Sequence, residues 1–321
     1  MLTPELIHYG AAGLVVFLGG LGGGLGQGFA GGRAMFSFLR QPLASEKGFH
    51  AMVIGLAVIE SGCIIALVSS LLILIGAPDQ FTMPLALAEV GMALSVGVAA
   101  VVIGMASSVV VQAAIESIAR QPFFSQKIIT LMLLTQSIIE APLIFAFIVA
   151  ITIKTNLAGV STLAQGLQLL AAGLAIAVGT IGPSIGQGLF ARTANKSIGF
   201  NKNAYGKIFP FTLVCEAIIE TPMIFCLLFA FLIIYAKPAG GIALSLSNVI
   251  PFFVASFTIG AGALGGSIAI GKVASKSCLA IAQEPKNYSH LFRSTLLAIA
   301  FIESTVIYAL IVSFFLILRV A

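Results

Sequence analysis

Tryptophan is absent from this 321-residue chain, and charge is scarce: Asp, Glu, Lys and Arg make up 8% of it, against 59% apolar residues. A water-facing surface cannot be assembled from so few charges at this length. A soluble globular domain is therefore excluded, and the composition is that of an integral membrane protein. Without Trp there is no indole belt at the membrane interfaces, so five Tyr and the Lys and Arg residues must anchor the chain. Cysteines are few. Cys63, Cys215, Cys226 and Cys278 lack metal-ligand spacing and lie in apolar or helical runs, so they read as small buried hydrophobes. The start, MLTPELIHYG, has no basic region ahead of its apolar run, so the first helix is expected to be retained rather than cleaved as a signal or transit peptide.

What the chain has in quantity is long apolar runs. They fall at 10–38, 50–77, 86–118, 128–153, 163–198, 207–236, 248–282 and 291–320. About 20 residues suffice to cross a bilayer as a helix, whereas barrel strands need only about 10, so these runs predict eight transmembrane helices. The fold class is all-α, four tandem helical hairpins with units at 1–80, 81–160, 161–240 and 241–321. Each hairpin holds a polar loop: RQPLASEKG, RQPFFSQK, FNKNAYGK and QEPKNYSH. The links between hairpins, at 77–85, 156–163 and 237–245, are short and nearly uncharged.

Against this background four acids stand out. Glu60, Glu140, Glu220 and Glu303 lie inside apolar stretches (VIESGCIIAL, IIEAPLIFAF, IIETPMIFCL, FIESTVIYAL), at intervals of 80, 80 and 83 residues. Each follows its loop position (Arg40, Arg120, Phe200, Gln283) by 20 residues. A carboxylate at mid-membrane costs about 2.5–3.5 kcal/mol, so one acid repeated at one place in four copies marks a repeated ion or proton site.

Thirteen of the sixteen Lys and Arg lie around the intra-hairpin loops; the others are Lys154, Lys237 and Arg319. The positive-inside bias places the loops in the cytoplasm and both termini outside. The first helix of each hairpin carries small residues: GLGGGLGQG at 20–28, GTIGPSIGQG at 179–188 and GAGALGG at 260–266, with a sparser set, Gly91, Gly97 and Gly104, in hairpin 2. Glycine costs helix propensity, about 1 kcal/mol against Ala, and permits close backbone approach, so these helices are expected to form a tightly packed inner layer. No strand precedes these glycines and no Lys-Ser/Thr follows them, which argues against a phosphate loop. Nucleic acid is not an expected partner.

A glycine-patterned first helix, an Arg-Gln-Pro loop and a mid-helix carboxylate on the second helix together resemble the c subunit of F-type ATP synthases. Hairpin 1 carries all three (GLGGGLGQGFAGG, LRQP, VIES), and hairpin 2 has Arg120-Gln121-Pro122 with Glu140. The resemblance covers essentially the whole chain as four fused copies. It implies a c-ring with glycine helices inside and carboxylate helices outside, turning against a stator a subunit, with loop residues Arg40, Gln41, Pro42, Arg120, Gln121 and Pro122 contacting the central-stalk gamma and epsilon subunits. Hairpins 3 and 4 depart from it, with Phe200-Asn201-Lys202 and Gln283-Glu284-Pro285, which implies weaker or asymmetric stalk contact there. The implied role is a non-catalytic rotor component in membrane lipid of the bacterial inner membrane, with no cofactor. With four hairpins per chain the expected homo-oligomer is three chains, twelve hairpins.

In sodium-coupled members of that family the site adds a Gln from the first helix, a Ser or Thr after the Glu, a backbone carbonyl two residues before it and a Tyr five after it. Hairpin 1 has Gln27 and Ser61, hairpin 3 has Gln187 and Thr221, and hairpin 4 has Ser304 and Tyr308; hairpin 2 has Ser107, Ala141 and Phe145 in those places. A hard cation needs several oxygens, a proton only the carboxyl, so the oxygen-poor hairpin 2 favours H+ over Na+ for the whole ring. No resident metal is expected. Ligands lent from one hairpin to the next would alter this count. Pro142 and Pro222 each lack the N–H that would bond the carbonyls of Ile138 and Ile218, so they either free a ligand oxygen or merely kink the helix. Glu216, one turn before Glu220, has no acidic counterpart in the other copies (Leu56, Gln136, Ile299). It is a second ligand or, the favoured reading, a polar plug hydrogen-bonded to a neighbour. Glu89 and Glu116 are read as solvated at the membrane interfaces.

Three alternatives stay open: a V- or A-type proteolipid of the ring, against which the Arg-Gln-Pro loops argue; a sodium-coupled ring; and a repeat-built secondary transporter. The last should show one diverged midplane site rather than one acid per repeat.

Overall fold

A computed structural model describes residues 3–76, 80–238 and 244–320. Eight long helices account for nearly all of them: α1 (Pro4–Arg40), α2 (Ser45–Ile75), α3 (Met83–Arg120), α4 (Ser125–Asn156), α5 (Leu163–Phe200), α6 (Tyr205–Tyr235), α7 (Leu246–Gln283) and α8 (Tyr288–Leu318). All eight are long and apolar enough to cross a membrane, and the chain is an integral membrane protein. Four of them, α1, α3, α4 and α7, extend beyond their apolar runs at both ends. At 1.5 Å per residue a 38-residue helix is roughly 57 Å long, nearly twice the hydrocarbon thickness, so polar end turns continue the backbone ladder outside the hydrocarbon. Two of their starts are capped locally: the Thr3 hydroxyl accepts from Leu6 N, and Thr162 forms a reciprocal capping box with Gln165. The links read at 77–85 and 237–245 fall partly outside the described residues.

The odd-numbered helices form one layer in chain order, α1 on α3, α3 on α5 and α5 on α7. The even-numbered helices form a second layer. Each packs on the inner helix of its own hairpin, and α2, α4 and α6 also pack on that of the next. Small residues permit the inner spacing. A Cβ on Gly104 of α3 would stand 2.7 Å from the carbonyl oxygen of Gly22 on α1, and one on Gly91 would stand 2.8 Å from that of Leu169 on α5. Gly91 and Gly104 of hairpin 2 thus occupy positions where backbones touch, while Gly97 makes room for the Leu18 side chain. The layers form an open arc. Its middle helices, α3 and α5, are the most buried, while α8 at one end leaves Leu297, Phe301 and Phe315 exposed.

Candidate functional site

The four intra-hairpin turns share one geometry. A single extended residue (Gln41, Gln121, Asn201 or Glu284; φ between −131° and −139°) leads into a three-residue 3₁₀ turn and then the second helix. In each turn the extended residue's N–H bonds a carbonyl four residues back, at 2.9–3.1 Å. Pro42, Pro122 and Pro285 open three of the 3₁₀ turns, where a fixed φ and a missing N–H cost nothing. Hairpin 3 has Lys202 there, and the Asn201 side chain instead accepts from Asn203 N at 3.1 Å. The departures from Arg-Gln-Pro therefore change side chains and leave the backbone alone. Arg40, Gln41, Pro42, Arg120, Gln121 and Pro122 are all exposed or half-buried at this end.

Because the turns match, the second helices start in register. Glu60, Glu140, Glu220 and Glu303 are each the sixteenth residue of α2, α4, α6 and α8. At 1.5 Å per residue that is roughly 22 Å along the axis in every copy. Glu140, Glu220 and Glu303 are half-buried; Glu60, with no hairpin before it, is exposed.

The surroundings of the glutamates cross hairpin boundaries. Ser61, on α2, faces Glu140 on α4. No hydrogen bond closes between them: Ser61 Oγ and Glu140 Oε1 are both buried without a partner among the described residues. One turn nearer the loop, Gln136 of α4 is fully buried and donates to the Gly55 carbonyl of α2 at 3.2 Å. The Gln27 amide reaches the carbonyl of Leu56 at 3.2 Å, not Glu60. Gln187, its counterpart on α5, is buried with neither amide atom hydrogen-bonded among the described residues. Glu216 lies one turn before Glu220 and is fully buried, with neither carboxyl oxygen hydrogen-bonded among the described residues. The expected hydrogen bond to a neighbour is not formed. Thr221 and Ser304 donate to carbonyls of their own helices, Ala217 and Phe301, and Tyr308 is exposed. α4 and α6 run unbroken through Pro142 and Pro222.

Two acids expected to be solvated are not. Glu89 is 1% exposed and stands 2.6 Å from Nδ1 of His8, itself 1% exposed. Glu116, its side chain 16% exposed, pairs with Arg33 of α1 and, at 3.1 Å, with Lys196 of α5. Both acids are on α3, flanked by α1 and α5, so a residue near a helix end still faces protein. Spacing within one hairpin carries no signal for such pairs; the 81 residues between His8 and Glu89, one repeat apart, are the only available hint. A third cross-hairpin contact is hidden in the sequence for the same reason. Lys47, Lys127 and Lys207 lie over the rings of Phe123, Tyr205 and Tyr288 of the next hairpin, 5.2–5.6 Å from their centroids.

A family profile for the c subunit of ATP synthase matches this chain four times, over residues 10–73, 90–153, 170–233 and 253–316. The ATP synthase c subunit of Geotalea daltonii is 38% identical over 82 residues, 26% of this chain and 90% of the relative. That of Geotalea uraniireducens has the same identity and coverage, and that of Citrifermentans bemidjiense is 39% identical over 80 residues, 25% of this chain and 88% of the relative. Each relative thus has about the length of one hairpin.

Proposed function

The chain belongs to the family of ATP synthase c subunits, four family units fused in one polypeptide and hence part of an ATP synthase rotor ring, and from that premise we propose that each hairpin carries one ion on its mid-membrane glutamate. The observation that supports this most directly is the shared register: Glu60, Glu140, Glu220 and Glu303 are each sixteenth in their helix, after a turn of the same geometry. A neutral, loaded carboxyl can face lipid at low cost and a bare carboxylate cannot. Rotation is then allowed with the site loaded, and each glutamate is discharged in turn beside a stator a subunit. The chain is a mechanical part and catalyses no reaction on ATP itself.

The ion is a proton. Counting ligands across hairpins, Glu140 has Ser61 beside it; the same step of one repeat gives Glu303 the neighbour Thr221, Glu220 only Ala141, and Glu60 the preceding copy's Ser304. Glu220, one turn from Glu216, thus receives no hydroxyl from the preceding hairpin. A hard cation bound by several oxygens would meet a different site at every step. Ile138 and Ile218, whose carbonyls Pro142 and Pro222 leave without an N–H partner, do not equalise the four. Carbodiimide labelling of the purified ring, read glutamate by glutamate by peptide mass, tests the reading. Labelling of all four at neutral pH, unaffected by sodium, is expected. Protection of any of them by sodium would replace the proton with Na+.

Three chains, twelve hairpins, form the ring, with the loop end cytoplasmic, both termini outside and the bacterial inner membrane as its site. Arg40, Gln41, Pro42, Arg120, Gln121 and Pro122 present the surface for the gamma and epsilon subunits. A density map down the ring axis checks the count. Any number of hairpins not divisible by four rules out a ring made of this chain alone.

A further inference from the structure

On the face that the inner helices turn away from the outer layer, two grooves meet at Leu189. One, about 320 Å³, lies between α3 and α5 and is walled by Met105, Val109, Ile185 and Leu189. The other, about 440 Å³, lies between α5 and α7 and is walled by Arg192, Lys196, Lys272 and Lys276. Ile185, Leu189, Arg192 and Lys196 are spaced 4, 3 and 4 residues apart, so they form one stripe along α5. It is not the stripe that meets α6, where Thr180 touches Met223 and Phe190 packs on Phe211. Along the stripe the lining changes from wholly apolar to cationic about 12 Å before the loop at Phe200, which is the order of an acyl chain and a head group.

The charge is not balanced from within. Glu116 is the one carboxylate paired with this cluster among the described residues; it holds Lys196 at 3.1 Å and is shared with Arg33. Arg192, Lys272 and Lys276 are exposed and have no carboxylate partner among the described residues. The repeat does not demand Arg192 or Lys272, although Arg33 holds the place of Lys276 in hairpin 1. The places of Arg192 in hairpins 1 and 2 are Gly32 and Gln112, and those of Lys272 are Phe29 and Val109. Orientation in the membrane would be served as well by cations in the loops. These four instead project from helix bodies onto one groove, once per chain.

We propose that this joined groove seats one anionic phospholipid per chain, its phosphate on Arg192, Lys272 and Lys276 and an acyl chain along Met105, Ile185 and Leu189. A free anion would use the cations alone and leave the apolar half without a role. The proposal requires only that the helices span a bilayer; it does not depend on which ion the glutamates carry.

The test is native mass spectrometry of the intact assembly, released from bilayers of phosphatidylglycerol and phosphatidylcholine with matched acyl chains. About one phosphatidylglycerol per chain is expected to remain bound, with a preference over phosphatidylcholine on the order of a hundredfold, from three net cations at about fivefold each. Arg192→Gln/Lys196→Gln/Lys272→Gln/Lys276→Gln should abolish the preference. Should that variant fail to assemble, Lys272→Gln/Lys276→Gln, at two exposed positions, should reduce it by about tenfold or more. Lys202→Gln/Lys207→Gln/Lys286→Gln, in the loops, should leave it unchanged. Equal retention of the two lipids by the wild type, or an undiminished preference in the groove variants, overturns the proposal. So does displacement of the lipid by millimolar inorganic phosphate, which would mark a site for free anions.

Discussion

Nδ1 of His8 on α1 and a carboxylate oxygen of Glu89 on α3 stand 2.6 Å apart, each side chain 1% exposed, and so tie the first hairpin to the second. Among the described residues the pair occurs once. The His8 place is Ala88, Gln168 and Pro251 in the other hairpins, and Gln168 bonds within its own hairpin, to the carbonyls of Ile233 and Ala236 at 2.6 and 2.9 Å. Removing one partner leaves the other buried and unpaired. Glu89→Ala or His8→Ala should each destabilise the chain by about 3–5 kcal/mol, whereas His8→Leu/Glu89→Leu should cost much less than the sum. Denaturant unfolding of the detergent-solubilised chain measures both; additive losses would mean the two side chains do not interact.

The open edge of the arc gives a prediction about assembly. Gly104 lies against the Gly22 backbone, but its counterpart in the first hairpin, Gly24, has open space where a Cβ would go. In a ring that space is filled by the preceding copy. Gly24→Leu should therefore leave the single chain folded and block assembly, while Gly104→Leu, overpacked within the chain, should lose about 1–3 kcal/mol or more of stability. Gly206, which also has open space, aligns with Glu46, Gln126 and Ser289 elsewhere, so Gly206→Ala should assemble normally and gain roughly 0.5–1 kcal/mol. Particle mass by light scattering separates the three.

Ser61 follows Glu60 in the chain but faces Glu140. Ser61→Ala should change the carbodiimide labelling rate of Glu140 and leave that of Glu60 nearly unaltered. The reverse pattern in peptide-resolved labelling would show that each hairpin furnishes its own site.

The lysine–aromatic contacts are worth less. Lys127 and Lys207 lie 5.6 and 5.2 Å from the ring centroids of Tyr205 and Tyr288 at the exposed loop end. Tyr205→Leu or Tyr288→Leu should weaken docking between consecutive hairpins by about 0.5–1 kcal/mol. Hydrogen exchange at the loop-end turns should rise, while the middle of each helix stays protected.

Much of this architecture is legible in one dimension because a membrane leaves the backbone few options. Apolar runs longer than a bilayer crossing must be helices, and the 20-residue offset from loop to acid already implies second helices in register. The glutamates stand out because an acid in an apolar run is costly wherever it occurs. Their surroundings are harder to read. Gln27 is expected beside Glu60 and instead donates to Leu56 O, one turn away. Hairpin 2 looks poor in ligands when its own residues are counted, whereas its Glu140 faces a serine of hairpin 1. Glu89 and Glu116, near helix ends, read as solvated although both face a neighbouring helix.

The sequence by itself determined the helices, the hairpins, the number of acids and their depth, since each of these follows from hydrophobic length, turn chemistry and spacing along one chain. Which side chains meet was decided only by the tertiary structure. Glycine lets adjacent backbones approach until the neighbour at a given level belongs to the next repeat, about 80 residues away. Contacts such as His8 with Glu89, Ser61 with Glu140 and Lys207 with Tyr288 depend on how helices rotate and slide against one another. Those two variables are set by packing, and hydropathy along a single helix does not specify them.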